Sequence, residues 1–452
     1  MSVSAASGKP LRVAIVGAGW AGLAAAVEAT RAGHAVTLFE AARQAGGRAR
    51  ALSLELPEGG TLTVDNGQHI LIGAYRESLR LLRTVGVDPD AALLRLPLVL
   101  RFADGGGLRL PDWPAPWNAA WGIVRARGWS WHERLALLRA ARAWHAAGFA
   151  CAPEATVAAL AADLPQRLVR EFIEPLCVAA LNTPIEQASG AVFLRVLRDA
   201  LLGGRGSADL LLPRVDLGSL LPQPALHWLA GHGATVRLGT RVGAFQWHAP
   251  HWVVEGEAFD RVLCATAAPH AAQLVARSAA GASAPVAAAM ARWGDAAARL
   301  AHRPITTVYC RTVPAPGTRS VLAAPMLALR STPAAPAQFV FERDAIAASG
   351  ARTGMLAFVI SDSRGERDAL QAAVVAQARE QLGLEVEPLL TVTERRATFA
   401  CSAGVQRPAT TIAPGLLACG DHVDGPYPAT LEGAVRSALQ AVQALRTAPG
   451  RH

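Results

Sequence analysis

The chain has few of the features that mark secreted or membrane-spanning proteins. Its six cysteines form neither CxxC pairs nor the spacing of a disulfide framework. No apolar run reaches the roughly 18 residues that a membrane-spanning helix needs. The N-terminal sequence MSVSAASGKP lacks the apolar segment of a signal peptide. We therefore expect a cytoplasmic protein with reduced cysteines.

Lysine is nearly absent. Lys9 is the only one, so the formal net charge of +9 comes almost entirely from arginine. Because alanine and glycine are also abundant, this arginine content is typical of a biased overall composition. A nucleic-acid-binding protein would show a basic stripe interleaved with aromatic residues or a recognised module, and neither is present. We expect no nucleic-acid partner, and a basic surface that faces anionic lipid stays open.

The 452 residues suit two domains, and strand and helix patterns alternate along them without a repeat. Residues 11–40 show the order strand, glycine turn, helix, strand. This pattern predicts an α/β fold with a discontinuous Rossmann-like dinucleotide-binding domain. A second, substrate-binding domain of sheet and helices would be inserted into it. We place the first domain at 10–90, 216–272 and 396–447, and the second at 91–215 and 273–395.

The first nucleotide motif is the segment from Gly17 to Gly22, between the first strand and the helix. Gly17 permits the tight turn, Gly19 lets the backbone approach a diphosphate, and Gly22 allows close packing of helix and strand. The helix N-terminus offers free N–H groups to phosphate oxygens. Glu40 ends the second strand, where a carboxylate accepts hydrogen bonds from ribose hydroxyls and repels a 2′-phosphate. The sequence therefore predicts a dinucleotide without that phosphate.

A second glycine motif, Gly46-Gly47-Arg48, resembles the GGR signature of the amine oxidase and phytoene desaturase superfamily of flavoproteins. The C-terminal sequence GLLACGD resembles a further signature of that superfamily, and TRVGAF and VLCATAAPHAAQLV also match it. The resemblance implies FAD, with Arg48 neutralising the diphosphate and Asp421 at the ribityl or phosphate region. It also implies that the helix beginning near Thr430 points its N-terminus at the flavin ring.

The predicted FAD contacts combine these motifs with their neighbours. They are Gly17, Ala18, Gly19, Trp20, Ala21, Gly22, Glu40, Ala41, Gly46, Gly47, Arg48, Gly67, Gln68, Val242, Thr266, Gly420, Asp421, Thr430 and Leu431. Since no histidine or cysteine attachment motif stands out, we expect the FAD to be bound non-covalently.

Two further segments are expected to border the flavin ring. The sequence around His69 resembles the DxGxH stretch of carotenoid-type desaturases, and the second segment runs from Asp421 to Pro428. His69, Tyr427 and Asp424 are the candidate proton donors, and His69 is preferred because an unperturbed imidazole titrates near neutrality. The alternative is that His69 only hydrogen-bonds the backbone. Asp65 is expected to be structural.

The segment from 113 to 205 is mostly helical and begins with an unusual number of tryptophans. Six of them occur before residue 146, mixed with arginines: Trp113, Trp117, Trp121, Trp129, Trp131 and Trp144. Aromatics with arginines are typical of helices that lie in a membrane interface. The alternative is that these tryptophans belong to the core or line a substrate tunnel. Both alternatives stay open. They are compatible if the protein contacts the inner face of the membrane peripherally and the mouth of the tunnel faces the bilayer.

Four longer stretches resemble one branch of the superfamily, the bacterial hydroxysqualene dehydroxylases. They are DNGQHILIGAY (65–75), EPLCVAALNTP (174–184), SADLLLPRVDLGSLLP (207–222) and GDHVDGPYPATLEGAVRSA (420–438). The resemblance implies an apolar triterpenoid substrate and reductive removal of its allylic hydroxyl to give squalene, a hopanoid precursor. Protonation and loss of water would leave a delocalised cation, which hydride from reduced flavin would quench.

Two other functions are kept as alternatives, a carotenoid-type desaturase or isomerase and a flavin-binding scaffold without turnover. A classical amine oxidase is not expected, because those enzymes commonly use a lysine beside the flavin and Lys9 precedes the first strand. No separate nicotinamide-nucleotide domain is apparent. The sequence therefore leaves open whether a nicotinamide or another protein reduces the flavin.

Overall fold

The computed structural model describes residues 9–56, 59–114, 116–312, 320–348 and 353–445. Within them no helix is both long and apolar enough to cross a bilayer.

The strands, numbered along the chain, fall into several sheets. They are β1 (Arg12–Val16), β2 (Ala35–Phe39), β3 (Ala51–Glu55), β4 (Thr61–Asp65), β5 (Leu71–Ile72), β6 (Leu93–Leu96), β7 (Val99–Arg101), β8 (Gly107–Arg109), β9 (Leu210–Pro213), β10 (Thr235–Arg237), β11 (Gln246–His248), β12 (His251–Val254), β13 (Glu257–Phe259), β14 (Arg261–Cys264), β15 (His302–Arg311), β16 (Met326–Ala328), β17 (Phe339–Glu342), β18 (Met355–Ser361), β19 (Glu387–Phe399), β20 (Thr411–Ala413) and β21 (Leu416–Ala418).

The helices are numbered in the same way, and a π-helical turn at Val169–Ile173 separates two of them. They are α1 (Trp20–Arg31), α2 (Arg76–Thr84), α3 (Pro89–Ala92), α4 (Trp117–Arg125), α5 (Trp131–Ala146), α6 (Val157–Leu160), α7 (Gln166–Leu168), α8 (Glu174–Leu181), α9 (Gly190–Leu202), α10 (Leu217–Leu220), α11 (Pro222–Gly231), α12 (Ala268–Ala279), α13 (Ala284–Ala298), α14 (Arg343–Ile346), α15 (Arg367–Leu382) and α16 (Leu431–Ala444).

The first half of the fold is a six-stranded sheet with helices on both faces. Its order among the described strands is β10-β2-β1-β14-β21-β20, parallel except for the last pair. Successive residues of β1 point to opposite faces, because a strand repeats every two residues. Val13 and Ile15 pack in the core that includes α1, α11 and α16, whereas Ala14 and Val16 pack in the core that includes α12 and α13. This arrangement confirms the predicted α/β class with an interrupted Rossmann-like sheet.

The second half is an antiparallel sheet with a helical segment beside it. Its strand order is β16-β17-β18-β15-β19. The helical segment from α4 to α9 is joined to this sheet by buried Glu171, whose carboxylate accepts hydrogen bonds from Arg330 at 2.9 Å and from the indole of Trp129 at 3.1 Å. These partners lower the pKa of Glu171 despite a burial that would raise it. Trp129 is therefore a core residue.

The packing corrects one predicted domain boundary. The division at residue 272 falls inside α12, and both α12 and α13 share a buried core with the nucleotide sheet through Leu274, Met290 and Trp293. Apolar periodicity alone could not assign these two helices to a sheet distant in sequence. Residues 273–298 therefore pack with the first half. The predicted end of that half, residue 447, lies outside the described residues.

Candidate active site

The first glycine turn is formed by backbone positions that exclude side chains. Gly17 has φ +109° and donates its N–H to the carbonyl of Phe39 at 2.7 Å. A Cβ on Gly17 would lie 2.8 Å from the carbonyl oxygen of Ala265, and one on Gly22 would lie 1.7 Å from that of Gly17. The tight turn and the close approach of α1 to β1 therefore both require glycine.

The second glycine pair lies directly against the first turn. Gly46 and Gly47 have φ +117° and +61°, and the N–H of Gly46 donates to the carbonyl of Ala18 at 2.8 Å. A Cβ on Gly47 would lie 3.2 Å from the Cα of Gly19. The two turns form a cradle of bare backbone at the start of α1, where no side chain caps the helix. Helix N-termini of this kind bind phosphate oxygens.

Two polar groups at this cradle support a nucleotide site. The indole N–H of Trp20 is buried at the cavity wall and has no hydrogen-bond partner within the described residues. Glu40, at the end of β2, accepts the N–H groups of Ala18 at 2.6 Å and Ala42 at 2.8 Å, one with each carboxylate oxygen. A carboxylate has further lone pairs, so these bonds hold Glu40 in place while leaving acceptors for a ribose.

Arg48 and Asp421 interact with each other at the floor of the cavity. Arg48 donates to Asp421 at 2.5 Å and to the carbonyl of Ala397 at 2.7 Å. Burial alone would raise the pKa of Asp421, but the charge of Arg48 and the neighbouring His422 hold it well below its usual range. The sequence motifs predict Arg48 and Asp421 as two separate FAD contacts. The structure shows an ion pair of an arginine and an aspartate 373 positions apart.

Most of the predicted FAD contacts lie around one cavity of about 1140 Å³. Its walls include Gly17, Gly19, Trp20, Ala21, Glu40, Ala41, Gly46, Gly47, Arg48, Gly67, Gln68, Val242, Thr266, Gly420, Asp421, Thr430 and Leu431. Ala18 and Gly22 are not in its wall, because both lie in the packed turn behind it. Thr430 caps α16 by accepting the N–H of Gly433 at 2.9 Å, so the N-terminus of α16 meets the cavity as expected.

The same cavity continues into a chamber of apolar side chains. Within segment 98–210 the described lining residues are Leu98, Leu108, Leu110, Ala119, Ile123, Leu137, Ala141, Trp144, Phe149, Phe172, Leu176, Val178, Ala179, Ala180, Asn182, Val196, Leu197, Ala200, Leu201, Ala208 and Leu210. None of them carries a charge. The amide of Asn182 is already engaged, because it donates to Thr398 at 3.0 Å and accepts from Asp362 at 2.8 Å. The chamber therefore suits a long apolar molecule.

His69 is part of the wall of the same cavity. Its Nδ1 is 2.9 Å from the carbonyl oxygen of Gly67, and a carbonyl can only accept, so Nδ1 carries the proton. Burial lowers the pKa of His69, and the charge of Arg48 lowers it further, although the bond to Gly67 acts in the opposite direction. The imidazole is therefore neutral near pH 7 with its Nε2 lone pair free of that bond. Both predicted roles, backbone contact and proton transfer, stay compatible with this geometry.

Tyr427 reaches the cavity from a strained loop before α16. Its φ of +60° is in the left-handed region, which costs a non-glycine residue about 1–2 kcal/mol. Its hydroxyl donates to Asp199 at 2.8 Å, and its ring meets that of Tyr75 edge to face at 5.9 Å. Burial and the hydrogen bond to Asp199 raise the pKa of Tyr427 to about 12. A phenol of this pKa is a poor acid.

The third candidate donor, Asp424, is outside the cavity. Its side chain is 71% exposed and pairs with Arg407 at 3.0 Å. It is absent from the residues that line the cavity. The prediction that Asp424 could protonate the substrate is therefore corrected, because the loop turns this residue to solvent. Asp65 is buried and accepts the N–H of Leu217 at 2.8 Å, which fits its expected structural role.

Sequence reasoning missed Asp199 and Tyr75, which meet at Tyr427 from distant helices. It also missed most of the apolar lining, although the Trp-rich segment indicated a hydrophobic helical region. Basic and polar residues at the nucleotide end, including Arg43, Arg241 and Arg277, were missed as well. Arg241 and Tyr75 lie within the matched stretches TRVGAF and DNGQHILIGAY, whereas no local pattern marks Asp199 or Arg277.

The fold and this cavity together define a dinucleotide-binding enzyme. The profile of the family described as Flavin containing amine oxidoreductase matches residues 20–446, and the chain belongs to this family. It is thus a flavin-dependent oxidoreductase, as its motifs predicted. The glycine cradle fits such a cofactor, and so does the indole N–H of Trp20, which no described residue accepts.

Curated relatives and a solved structure agree with this assignment. Hydroxysqualene dehydroxylase of Rhodopseudomonas palustris is 29% identical over 97% of this chain and 99% of its own length. The enzyme of the same name from Sinorhizobium fredii is 32% identical, over 52% of this chain and 54% of its own length. An oxidoreductase from Methanosarcina mazei has the same fold, with a TM-score of 0.69 at 15% identity over 96% of this chain and 100% of that one. The predicted resemblance is confirmed.

Proposed function

We propose that the chain binds FAD non-covalently and removes the hydroxyl group of hydroxysqualene reductively, giving squalene. The observation that carries the proposal is the single cavity that joins a dinucleotide cradle to a chamber without charged side chains. The full-length similarity to a hydroxysqualene dehydroxylase supports this choice of substrate. A long hydrocarbon with one hydroxyl needs a cofactor site joined to an apolar chamber. Its hydroxyl must reach the flavin while its hydrocarbon chain is buried away from water.

The chamber contributes by excluding water and charge. Protonation of the allylic hydroxyl breaks its C–O bond, releasing water and leaving a delocalised carbocation. The glycine turns, Arg48 and Asp421 would hold the flavin, which in its reduced form would supply the hydride that quenches the cation. The apolar walls protect the cation from attack by other water molecules. Tyr75 and Tyr427 also line the cavity, and an aromatic ring beside the reacting carbon would stabilise positive charge.

His69 is the acid in this proposal. Since Nδ1–H is held by Gly67, the transferred proton occupies Nε2, and the imidazolium gives it to the leaving hydroxyl. The lowered pKa makes the imidazolium a stronger acid and makes it scarcer at neutral pH. Tyr427 is a weaker candidate, because its proton points to Asp199. Its expected part is to place its ring at the reacting carbon.

The side chains at the cavity wall support non-covalent binding of FAD. None of the described lining residues is a cysteine, and of the lining histidines His69 and His270 the first is held by Gly67. Acid or heat denaturation should therefore release all of the yellow cofactor from the polypeptide. Each turnover also consumes two electrons, so a nicotinamide nucleotide or a reduced redox protein must restore the flavin.

The test is a single anaerobic turnover. The purified protein is reduced, hydroxysqualene is added, and flavin absorbance is followed while the lipid is extracted for mass analysis. We expect flavin reoxidation coupled one to one to squalene formation. Flavin that stays reduced beside unchanged substrate would overturn the proposal. The oxidised protein would then be tested on polyenes, since a carotenoid-type desaturase adds double bonds and needs an oxidant.

A further inference from the structure

Helices α4 and α5, with the segment just before α4, carry large apolar side chains on the protein surface. Trp113, Trp117, Trp121, Trp131 and Leu135 are 45%, 69%, 45%, 63% and 46% exposed. We call these five residues the outer aromatic face. Trp113 and Trp121 contact each other with ring centroids 5.3 Å apart, so part of the face is one continuous patch. Isolated exposed apolar residues are ordinary, but a patch of this kind marks an interaction surface.

The same two helices line the apolar chamber with their other side. In α4 the chamber residues are Ala119 and Ile123, and in α5 they are Leu137, Ala141 and Trp144. Side chains two residues apart on a helix point about 200° apart. Helical spacing therefore puts Trp117 and Trp121 opposite Ala119 and Ile123, and Leu135 opposite Leu137. One layer of helices separates the outer aromatic face from the chamber.

The surroundings of this face are basic. Between residues 113 and 146 the sequence has five arginines and one glutamate. The guanidinium groups of Arg125 and Arg134 lie over the rings of Trp121 and Trp131, at 5.9 and 4.8 Å from their centroids. Arg139 and Arg142 are exposed farther along α5. Cations stacked on indoles at a surface are typical of contact with anionic headgroups.

A shallow groove beside the face supplies an independent observation. It has a volume of about 370 Å³ and is formed by Arg125, Arg127 and Arg134 together with Val124, Ala126 and Gly128. Arg134 donates to the carbonyl of Ala126 at 2.8 Å through Nη2, but its buried Nε has no partner within the described residues. Three guanidinium groups around a groove, one with a free buried donor, suit a phosphate group.

We propose that the outer aromatic face docks on a bilayer that contains anionic phospholipid, with the arginine groove holding a lipid phosphate. Because no described helix can span the bilayer, the contact is peripheral. The tryptophans enter the headgroup region and the arginines meet the phosphates. If the proposed function is right, the docked chamber stands directly above the hydrocarbon in which hydroxysqualene and squalene dissolve.

The test is co-sedimentation of the full-length flavoprotein with vesicles of phosphatidylcholine, alone or mixed with phosphatidylglycerol. Trp117→Ser with Trp131→Ser should weaken binding to both vesicles, by about tenfold or more for the mixed ones. Arg125→Gln with Arg127→Gln should abolish the preference for phosphatidylglycerol. Leu238→Ser, an exposed apolar residue (37%) in the nucleotide half, is the matched control and should bind like the unaltered protein.

Equal binding by all four proteins, or no binding by the unaltered protein, would overturn the docking proposal. Flavin content and circular dichroism check that each variant is folded. Squalene formation from detergent-dispersed substrate separates this proposal from the proposed function. Turnover without vesicle binding contradicts only the docking, whereas vesicle binding without turnover contradicts only the dehydroxylation.

Discussion

The two ends of the cavity are constructed in different ways. The cradle at the polar end is made of backbone, through the turns at 17–22 and 46–47 and the N-terminus of α16, and charged side chains such as Glu40 and Arg48 surround it. The apolar end is made of side chains that come from segments between residues 70 and 210. A change at the polar end should therefore remove the cofactor, while a change at the apolar end should alter only the use of substrate.

Gly22→Ala should give the largest effect. The added Cβ would lie 1.7 Å from the carbonyl oxygen of Gly17, so α1 must move away from β1 at a cost above about 3 kcal/mol. We expect loss of bound flavin, measured by absorbance after purification, together with a lower melting temperature. Gly231→Ala is the matched control, because apart from its chain neighbours and its own helix backbone no described residue would lie within 4 Å of the added Cβ. Full flavin content in Gly22→Ala would show that the backbone cradle does not define the polar end.

His69→Gln tests the proposed proton donor. We expect kcat to fall about a hundredfold with unchanged flavin content, because the side chain that carries the proton is lost. Burial lowers the pKa of His69 from its ordinary value of 6.5, so wild-type kcat/KM should decline with rising pH, and the decline should begin below the pH at which a free imidazole titrates. The variant should lack this decline. An unchanged pH profile in the variant would mean that His69 only holds the backbone, and Tyr427→Phe would then be examined in the same assay.

Ala200→Asn introduces a polar amide into the apolar chamber. Substrate binding would bury this amide without a partner, which costs about 1–2 kcal/mol and should raise KM about tenfold. Flavin content should not change, because the residue is in the apolar end. Ala143→Asn, on the exposed side of α5, is the control and should behave as wild type. Flavin loss in Ala200→Asn would contradict the independence of the two ends.

The last prediction concerns Asp65, behind the cavity, and bears on the stability of the fold rather than on cofactor or substrate. Burial raises the pKa of this carboxyl to about 6, although Leu217 and Arg343 oppose the shift. A carboxyl group whose pKa is higher in the folded state than in the unfolded state stabilises the fold fully below its unfolded pKa. This stabilisation is lost as the pH rises through the pKa of the folded state. Between about pH 4 and pH 7 wild type should therefore lose up to about 3 kcal/mol relative to Asp65→Asn, whose oxygen still accepts from Leu217. Chemical denaturation at both pH values measures the difference, and parallel curves would refute it.

Local motifs predicted the polar end well. The glycine positions, Glu40 and the N-terminus of α16 could be located because each role depends on a few neighbouring residues. Contacts between distant residues could not be located in this way. Asp421 and Arg48 pair across 373 positions, and Tyr427 pairs with Asp199 across 228. The exposure of Asp424 likewise depends on the path of one loop.

The Trp-rich segment is a second case in which local sequence patterns could not predict tertiary packing. Its composition predicted two environments, a membrane interface or a tunnel, without dividing the residues between them. Packing puts Trp129 in the core on Glu171 and Trp144 in the chamber wall, and leaves Trp117 and Trp131 exposed. Spacing along one helix defines relative directions, but only the neighbouring elements decide which direction is inside.

The sequence by itself determined the α/β class, the flavin and the position of its cradle, because these depend on short-range backbone geometry. The tertiary structure decided how α12 and α13 pack, which candidate acid reaches the cavity, and which side of α4 and α5 meets solvent. These properties arise from burial and charge pairing between segments far apart in the chain. The free energy of these contacts is gained only when the distant segments meet in the folded core.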